Sequence, residues 1–89
     1  MYGLKNIVEE MVMRKIDELQ PNINCCSCEK CRLDIASYAL NNLPPKYVVT
    51  QKGALIGKLY MNNPQMEMDI TSTVVTAFKL IGEHPKHDD

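Results

Sequence analysis

The sequence predicts an all-α protein, a single small domain over residues 1–89 with about four helices and a short extended segment. Three observations lead to this prediction. Apolar residues recur at helical spacing along most of the chain. All four cysteines fall within residues 25–31, which indicates a bound metal. The 89 residues leave room for one modest core, and domains of this size often depend on a metal, a disulfide or a partner subunit.

The first helix is predicted near the N-terminus and ends before Pro21, which cannot continue a helix. Its apolar residues lie at helical spacing: Leu4, Ile7, Val8, Met11, Val12 and Leu19. Its charged residues fall largely on the opposite face: Glu9, Glu10, Arg14, Asp17 and Glu18. A loop over residues 21–28 follows and carries the first three cysteines.

The second helix is predicted from Glu29 to about Leu43. One face of it carries the apolar residues Leu33, Ala36, Ala39, Leu40 and Leu43. Two asparagines followed by Pro44 and Pro45 end it. Residues 47–50 then have strand propensity, but they are too few to build a sheet by themselves.

The third helix is predicted from Gly53 to Met61, with Leu55, Ile56 and Leu59 buried, and it ends before Pro64. Residues 66–81 are ambiguous, because the β-branched run 70–76 favours a strand. The apolar residues nevertheless follow helical spacing better than alternation: Ile70, Val74, Ala77, Phe78 and Ile81. We therefore predict a fourth helix over this segment.

The charge balance excludes some classes of protein. Ten basic and eleven acidic residues give a net charge of -1, whereas a dedicated nucleic-acid binder normally carries a large positive excess. No segment is long and apolar enough to cross a membrane, and the charged N-terminal pattern is unlike a secretory signal. We expect a cytoplasmic protein, where thiols stay reduced and clustered cysteines are more often metal ligands than disulfides.

The cysteine cluster has the composition of a structural zinc site, for which four thiolate or imidazole ligands in a tetrahedron are typical. Cys28 and Cys31 form a C-x-x-C pair in the first turn of the predicted second helix, and Cys26 can reach the same point from the loop. The predicted metal ligands are Cys25, Cys26, Cys28 and Cys31, and the fourth ligand is left open between Cys25 and the alternatives His84 and His87. The alternatives are a redox pair, which lacks the usual βαβ context, an iron–sulfur cluster and inert packing of small residues.

Three features in order resemble the late competence development protein ComFB family. They are the C-x-C-x-x-C cluster ending at Cys31, the following helix RLDIASYALN at residues 32–41, and LPPKYVVTQKG at residues 43–53. The resemblance implies an all-helical fold, a homodimer, zinc held by cysteines and a bacterial cytosolic origin. It also implies similarity to receptors for cyclic dinucleotides. Some relatives supply a cysteine from the C-terminal end, where this chain has His84 and His87.

The middle of the chain has residues suited to an anionic ligand. The 32 residues 35–66 contain no Asp or Glu, so lysines there create a local positive field. Lysine charge and tyrosine stacking suit a nucleotide's phosphate and base. The predicted ligand-binding residues are Lys46, Tyr47, Thr50 and Lys52, with Lys58 and Tyr60 nearby. The same lack of acids is also explained if this segment is buried or lies in a dimer interface.

Catalysis has little support, because the sequence has no histidine before residue 84 and no nucleophile–base pair at catalytic spacing. The sequence and the resemblance together predict a non-enzymatic zinc-binding signalling module that binds a cyclic dinucleotide. The alternative is an adaptor that binds a protein partner of the competence or envelope machinery. A DNA-binding helix-turn-helix protein is disfavoured by the nearly neutral charge.

Overall fold

A computed structural model describes residues 3–23, 26 and 28–83. Within these residues, four α-helices are accompanied by a two-stranded ribbon. The elements in chain order are β1 (Lys5–Asn6), α1 (Ile7–Leu19), a 3-10 turn (Gln20–Asn22), α2 (Glu29–Asn41), β2 (Tyr47–Val48), α3 (Gln51–Met61) and α4 (Pro64–Glu83). The prediction of a mainly helical protein with four helices is confirmed, and the end of α1 just before Pro21 is confirmed with it.

The core lies where α1, α2 and α4 pack against one another. Each of these helices buries one apolar face, as amphipathic helices do. The fully or almost fully buried core residues are Ile7, Val8, Val12 and Ile16 of α1, Ile35, Ala36 and Ala39 of α2, and Ile70, Val74, Ala77 and Phe78 of α4. The β-branched run in α4 is therefore helical, because a helix brings its apolar residues to one face and an alternating strand would not.

The extended segment after α2 finds its partner at the start of the chain. Antiparallel pairing sets Lys5 opposite Val48 and Asn6 opposite Tyr47. The buried Asn6 caps α1, since its Oδ1 accepts from the backbone N–H of Val8 at 3.1 Å and from that of Lys46 at 2.9 Å. One side chain thus fixes both the beginning of α1 and the position of the segment that carries Lys46.

Outside α3, two residues that were predicted to be buried are exposed to solvent instead. Leu4 was expected in the first helix, but it precedes α1 next to the ribbon and is 76% exposed. Leu33 was expected on the buried face of α2 and is 55% exposed. The predicted burial of Ala36, Ala39 and Leu43 is confirmed. The buried face of α2 also includes Cys31 and Ile35, which precede Ala39 at intervals of four residues and share its side of the helix. None of the helices in the described part of the chain is both long enough and apolar enough to cross a membrane.

The third helix differs most from its prediction. Leu55, Ile56 and Leu59 were expected to be buried, yet each is at least half exposed. The side of α3 that packs on the protein carries Gly57 and Met61. A Cβ added at Gly57 would lie 2.9 Å from Cδ1 of Ile7, so a side chain there would require the buried Ile7 side chain to shift. Close approach through glycine turns the large residues of α3 outward.

Candidate functional site

The cysteine cluster, defined here as Cys26, Cys28 and Cys31, lies at the start of α2. Cys28 is the N-cap residue of α2, and its Sγ accepts from the backbone N–H of Cys31 at 3.5 Å. Cys31 lies in the first turn of α2 and is fully buried, while Cys26 and Cys28 are exposed. The three sulfur atoms lie within 4.8 Å of one another. The predicted C-x-C-x-x-C spacing therefore brings three sulfurs to one point.

The geometry of the cysteine cluster fits a tetrahedral metal ion. A metal–sulfur distance of about 2.3 Å places the sulfurs of a tetrahedral site about 3.8 Å apart, so shifts of about 1 Å or less would close the cluster around an ion. Burial, followed by the neighbouring thiols of Cys28 and Cys26, raises the pKa of Cys31 to about 12. A cation favours the thiolate instead, and metal binding is therefore coupled to proton release.

The fourth ligand remains a prediction. Cys25, which was included among the metal ligands, and the alternatives His84 and His87 all lie outside the described residues. Three of the four predicted cysteines are thus placed together, and a metal ion could be held by them with a fourth ligand from elsewhere.

The surroundings of the cysteine cluster connect α2 to α1. The guanidinium of Arg32, next to Cys31, donates to Oδ1 of Asp17 at 2.6 Å. Asp17 belongs to the last turn of α1. A metal bound to the three sulfurs would cross-link the loop to the first turn of α2 at the same place. This arrangement suits a structural site, which holds chain segments together, better than a catalytic one, which needs an open ligand position.

A second candidate site lies beside β2 and α3. This open groove, called the Lys46 groove below, has a volume of about 370 Å³ and is lined by Lys46, Tyr47, Val48, Val49, Gly53, Ile56, Gly57 and Tyr60. The Lys46 ammonium lies 5.9 Å from the centre of the Tyr60 ring, at cation–π distance. Tyr47 and Tyr60 are 57% and 79% exposed. A cation and two accessible aromatic rings therefore surround one surface groove.

The four residues predicted to bind an anionic ligand are not all in this groove. Thr50 lines a second groove of about 260 Å³, which shares Val48 and Val49 with the Lys46 groove. The Thr50 hydroxyl caps α3 by accepting from the backbone N–H of Gly53 at 2.9 Å. Lys52, exposed in the first turn of α3, lines neither groove. Of the four predicted residues, only Lys46 and Tyr47 line the Lys46 groove. Their role in ligand binding stays a prediction.

A third feature is the apolar surface on α3, called the α3 face below and made of Leu55, Ile56, Leu59 and Tyr60. These side chains are 50–79% exposed. Sequence reasoning placed Leu55, Ile56 and Leu59 inside, because apolar residues usually face the core. The small residues Gly53, Ala54 and Gly57 share the opposite side of the helix, and this was the signal in the sequence that could have revealed the true orientation.

Charged residues border the α3 face. Lys58 of α3 pairs with Glu10 of α1 at 3.1 Å, and Glu10 also pairs with Lys5 at 3.3 Å. Hydrogen bonds from Lys58 first and Lys5 second hold the pKa of Glu10 below its ordinary value of 4.5. These pairs attach α3 to the first part of α1.

Comparison with known proteins gives matches of two kinds. The family model described as late competence development protein ComFB matches residues 5–85. Among solved structures, the late competence protein ComFB from Bacillus subtilis is similar, with a TM-score of 0.86 at 21% identity over 97% of this chain and 96% of that one. No curated protein is similar enough to count as a match. The structural likeness concerns the fold.

Proposed function

The chain belongs to the late competence development protein ComFB family, and from this premise we propose that it is a non-enzymatic, zinc-bound dimeric module of the cytoplasm that binds a cyclic dinucleotide. The observation that best supports ligand binding is the position of the Lys46 ammonium, 5.9 Å from the centre of the Tyr60 ring and beside the exposed Tyr47. A cyclic dinucleotide presents phosphates to a cation and bases to aromatic rings. Charge-assisted contacts and stacking supply the two kinds of interaction such a ligand needs.

The position of Lys46 also supports this proposal. Its backbone N–H donates to Oδ1 of Asn6, and its carbonyl accepts from the N–H of Ile7 at 2.9 Å. The backbone beneath the side chain is therefore fixed to the start of α1, which lowers the entropy lost when a ligand binds. No acidic residue occurs between positions 35 and 66 to repel a phosphate from the same stretch of chain.

Zinc is the proposed metal because thiolate ligands at converging positions around a helix N-terminus are typical of structural zinc sites. Its role is to hold the loop before α2 in place. The fourth ligand comes from Cys25, His84 or His87. Zinc in such a site supplies stability and no chemistry, which accords with a binding module.

A second copy of the chain is the proposed cover of the α3 face. When two α3 helices meet antiparallel about their middle residue, Ile56, Lys52 of each copy reaches the level of Tyr60 in the other. An ammonium near a tyrosine ring is favourable, and the pairing buries the leucines of both faces. Because Ile56 and Tyr60 also line the Lys46 groove, the proposed ligand would lie at the edge of this interface. The apolar surface and the charge at its end thus complement a second copy of themselves.

Native mass spectrometry of the full chain with a panel of cyclic dinucleotides tests the ligand. We expect a dimer with one zinc per chain that gains the mass of a dinucleotide. Lys46→Glu should weaken that binding at least about tenfold, because one charge-assisted contact becomes a repulsion. Lys79→Glu, at an exposed position of α4, makes the same change of charge and should bind normally. Equal binding by both variants would remove Lys46 from the site.

An adaptor for a protein partner is the second candidate, and the exposed α3 face is the observation that favours it. Analytical ultracentrifugation of the wild type and of Leu59→Glu tests whether a second copy or a different protein covers the α3 face. If a second copy covers the face, the wild type is a dimer and the variant dissociates, with affinity lowered about thirtyfold or more. Met68→Glu, at a similarly exposed position of α4, should leave the dimer intact. A wild type that stays monomeric at high concentration would favour a different protein on this face.

A further inference from the structure

The three sulfurs of the cysteine cluster differ in how solvent reaches them. Cys31 is fully buried in the first turn of α2, whereas Cys26 and Cys28 are both exposed. Cys26 precedes the helix, and Cys28 occupies its N-cap position. Two of the three sulfurs are therefore open to a small oxidant, and they lie within 4.8 Å of each other.

We propose that Cys26 and Cys28 form a redox modification site: hydrogen peroxide joins them in a disulfide, which expels the metal while Cys31 stays reduced. The inference rests on the zinc centre of the proposed function. The inference gives the two exposed cysteines, called the outer pair below, a regulatory role in addition to holding the loop. Loss of zinc would then report oxidising conditions through the stability of the α2 N-terminus.

The chemistry balances with peroxide as the named oxidant. The sulfur of one exposed thiolate attacks a peroxide oxygen, an S–O bond forms, the O–O bond breaks, and the departing hydroxide takes a proton to become water. The second thiolate attacks the sulfenic sulfur, an S–S bond forms, the S–O bond breaks, and the second hydroxide leaves as water. Two sulfurs lose two electrons in all, and one hydrogen peroxide becomes two waters.

Geometry favours the outer pair over a bridge to Cys31. A disulfide requires sulfurs about 2.05 Å apart, so one cysteine must move. Cys26 lies outside the helices and can move without changing them. Cys31 is fixed within α2 and closed to peroxide. Oxidation of Cys26 and Cys28 removes two thiolate ligands, and a zinc ion left with half of its ligands dissociates.

The effect on the fold is local. The first turn of α2 keeps the bond from Arg32 to Asp17 at 2.6 Å, and its core residues stay packed against α1 and α4. We therefore expect the oxidised protein to keep its helices and to melt at a lower temperature. A reductant and zinc together should restore the original melting temperature, because a disulfide is the reversible product of thiol oxidation.

The test treats the zinc-loaded full chain with hydrogen peroxide. Metal analysis beforehand gives the zinc content, a chromogenic chelator follows release, and peptide mass spectrometry maps the bridge. We expect one zinc per chain to be released together with a Cys26–Cys28 disulfide. A chain that never held zinc would overturn the zinc centre and this inference with it. Zinc retained over intact thiols, or a bridge using Cys25 or Cys31, would overturn this inference alone.

Two variants sharpen the result. Cys26→His keeps a zinc-ligating atom at the position but cannot form the bridge, so release should slow at least about tenfold. Equally fast zinc release from this variant would show that release does not require a Cys26–Cys28 disulfide, and would overturn the proposal. If the variant binds no zinc, the disulfide mapped in the wild type tests the proposal instead. Met68→Leu removes an exposed methionine that peroxide also oxidises, and it should release zinc as the wild type does.

Discussion

The cysteine cluster and the α3 face lie at opposite ends of α1, and they differ in what the chain itself provides. The cysteine cluster adjoins the last turn of α1 through the pair of Arg32 and Asp17. The α3 face is held at the first residue of α1, where Gly57 packs against Ile7. At one end three sulfur atoms converge on a common point, while at the other the apolar side chains are at least half exposed to solvent. The first region could hold a metal ion, and the second exposes apolar side chains to which we propose that a second copy binds.

The two regions also differ in how much folding energy depends on them. A structural metal fixes several chain segments at once, and its loss is among the most destabilising single changes known. An exposed apolar face contributes little to the stability of the isolated chain, because its side chains contact water in both the folded and the unfolded state. Substitutions at the two ends should therefore separate stability from association.

The largest expected effect on stability is at the cysteine cluster. Cys31→Ser removes a buried ligand, so the chain should lose its zinc and more than about 4 kcal/mol of stability, which lowers the melting temperature by roughly 15 °C or more. Metal analysis and calorimetry measure both quantities. Leu33→Ser, at an exposed position of the same helix, should change stability by less than about 0.5 kcal/mol. A Cys31→Ser chain with full zinc and an unchanged melting temperature would refute the structural role of the site.

The convergence of the three cysteines could be predicted from the sequence, because it depends only on residues that are close together in the chain. Cys26, Cys28 and Cys31 lie within six positions, so one turn into a helix brings their sulfurs together whatever the rest of the fold does. The helical nature of α4 was likewise readable, since its apolar residues follow one periodicity. Both predictions depended on the spacing of nearby residues and needed no contact between residues far apart in the sequence.

The other end could not be predicted in the same way. Helical spacing identified α3 as a helix, but the rule that apolar residues face inward selected the wrong side, because it gives no weight to the close approach that Gly57 allows. The partner of β2 is some 40 residues earlier, at Lys5 and Asn6. The contact between Lys46 and Tyr60 depends on both of these placements. Such information resides in the tertiary structure.

A middle-sized effect is expected where α3 meets α1. Gly57→Val places a branched side chain where even a Cβ would approach Ile7 to 2.9 Å, and overpacking of this kind costs about 1–3 kcal/mol. The midpoint of urea denaturation should fall, while the zinc content stays unchanged. Gly3→Val is the control, because nothing lies within 4 Å of a Cβ there. Loss of zinc in Gly57→Val would show that the two ends are coupled and would break the contrast between them.

The smallest expected effect is electrostatic and concerns the attachment of α3 to α1. The pKa of Glu10 is lowered in the folded protein by Lys58 and then Lys5, so the folded state binds the proton less readily than the unfolded state. The stabilisation is present above pH 4.5, the ordinary value for this carboxyl, and is lost as the pH falls through the folded pKa. Because the carboxylate is 37% exposed, solvent screening limits the gain to less than about 1 kcal/mol.

Melting curves of wild type and Glu10→Gln between pH 7 and pH 3 test this attachment. The wild type should melt slightly higher at pH 7, and the difference should shrink as the pH falls below 4.5 and Glu10 takes up a proton, because protonated Glu10 resembles glutamine. It should also shrink in 1 M salt, which screens exposed charges. Glu9→Gln, the neighbouring exposed carboxylate, is the matched control. A difference that shrinks neither on acidification nor in salt would mean that Glu10 stabilises the protein by something other than this charge.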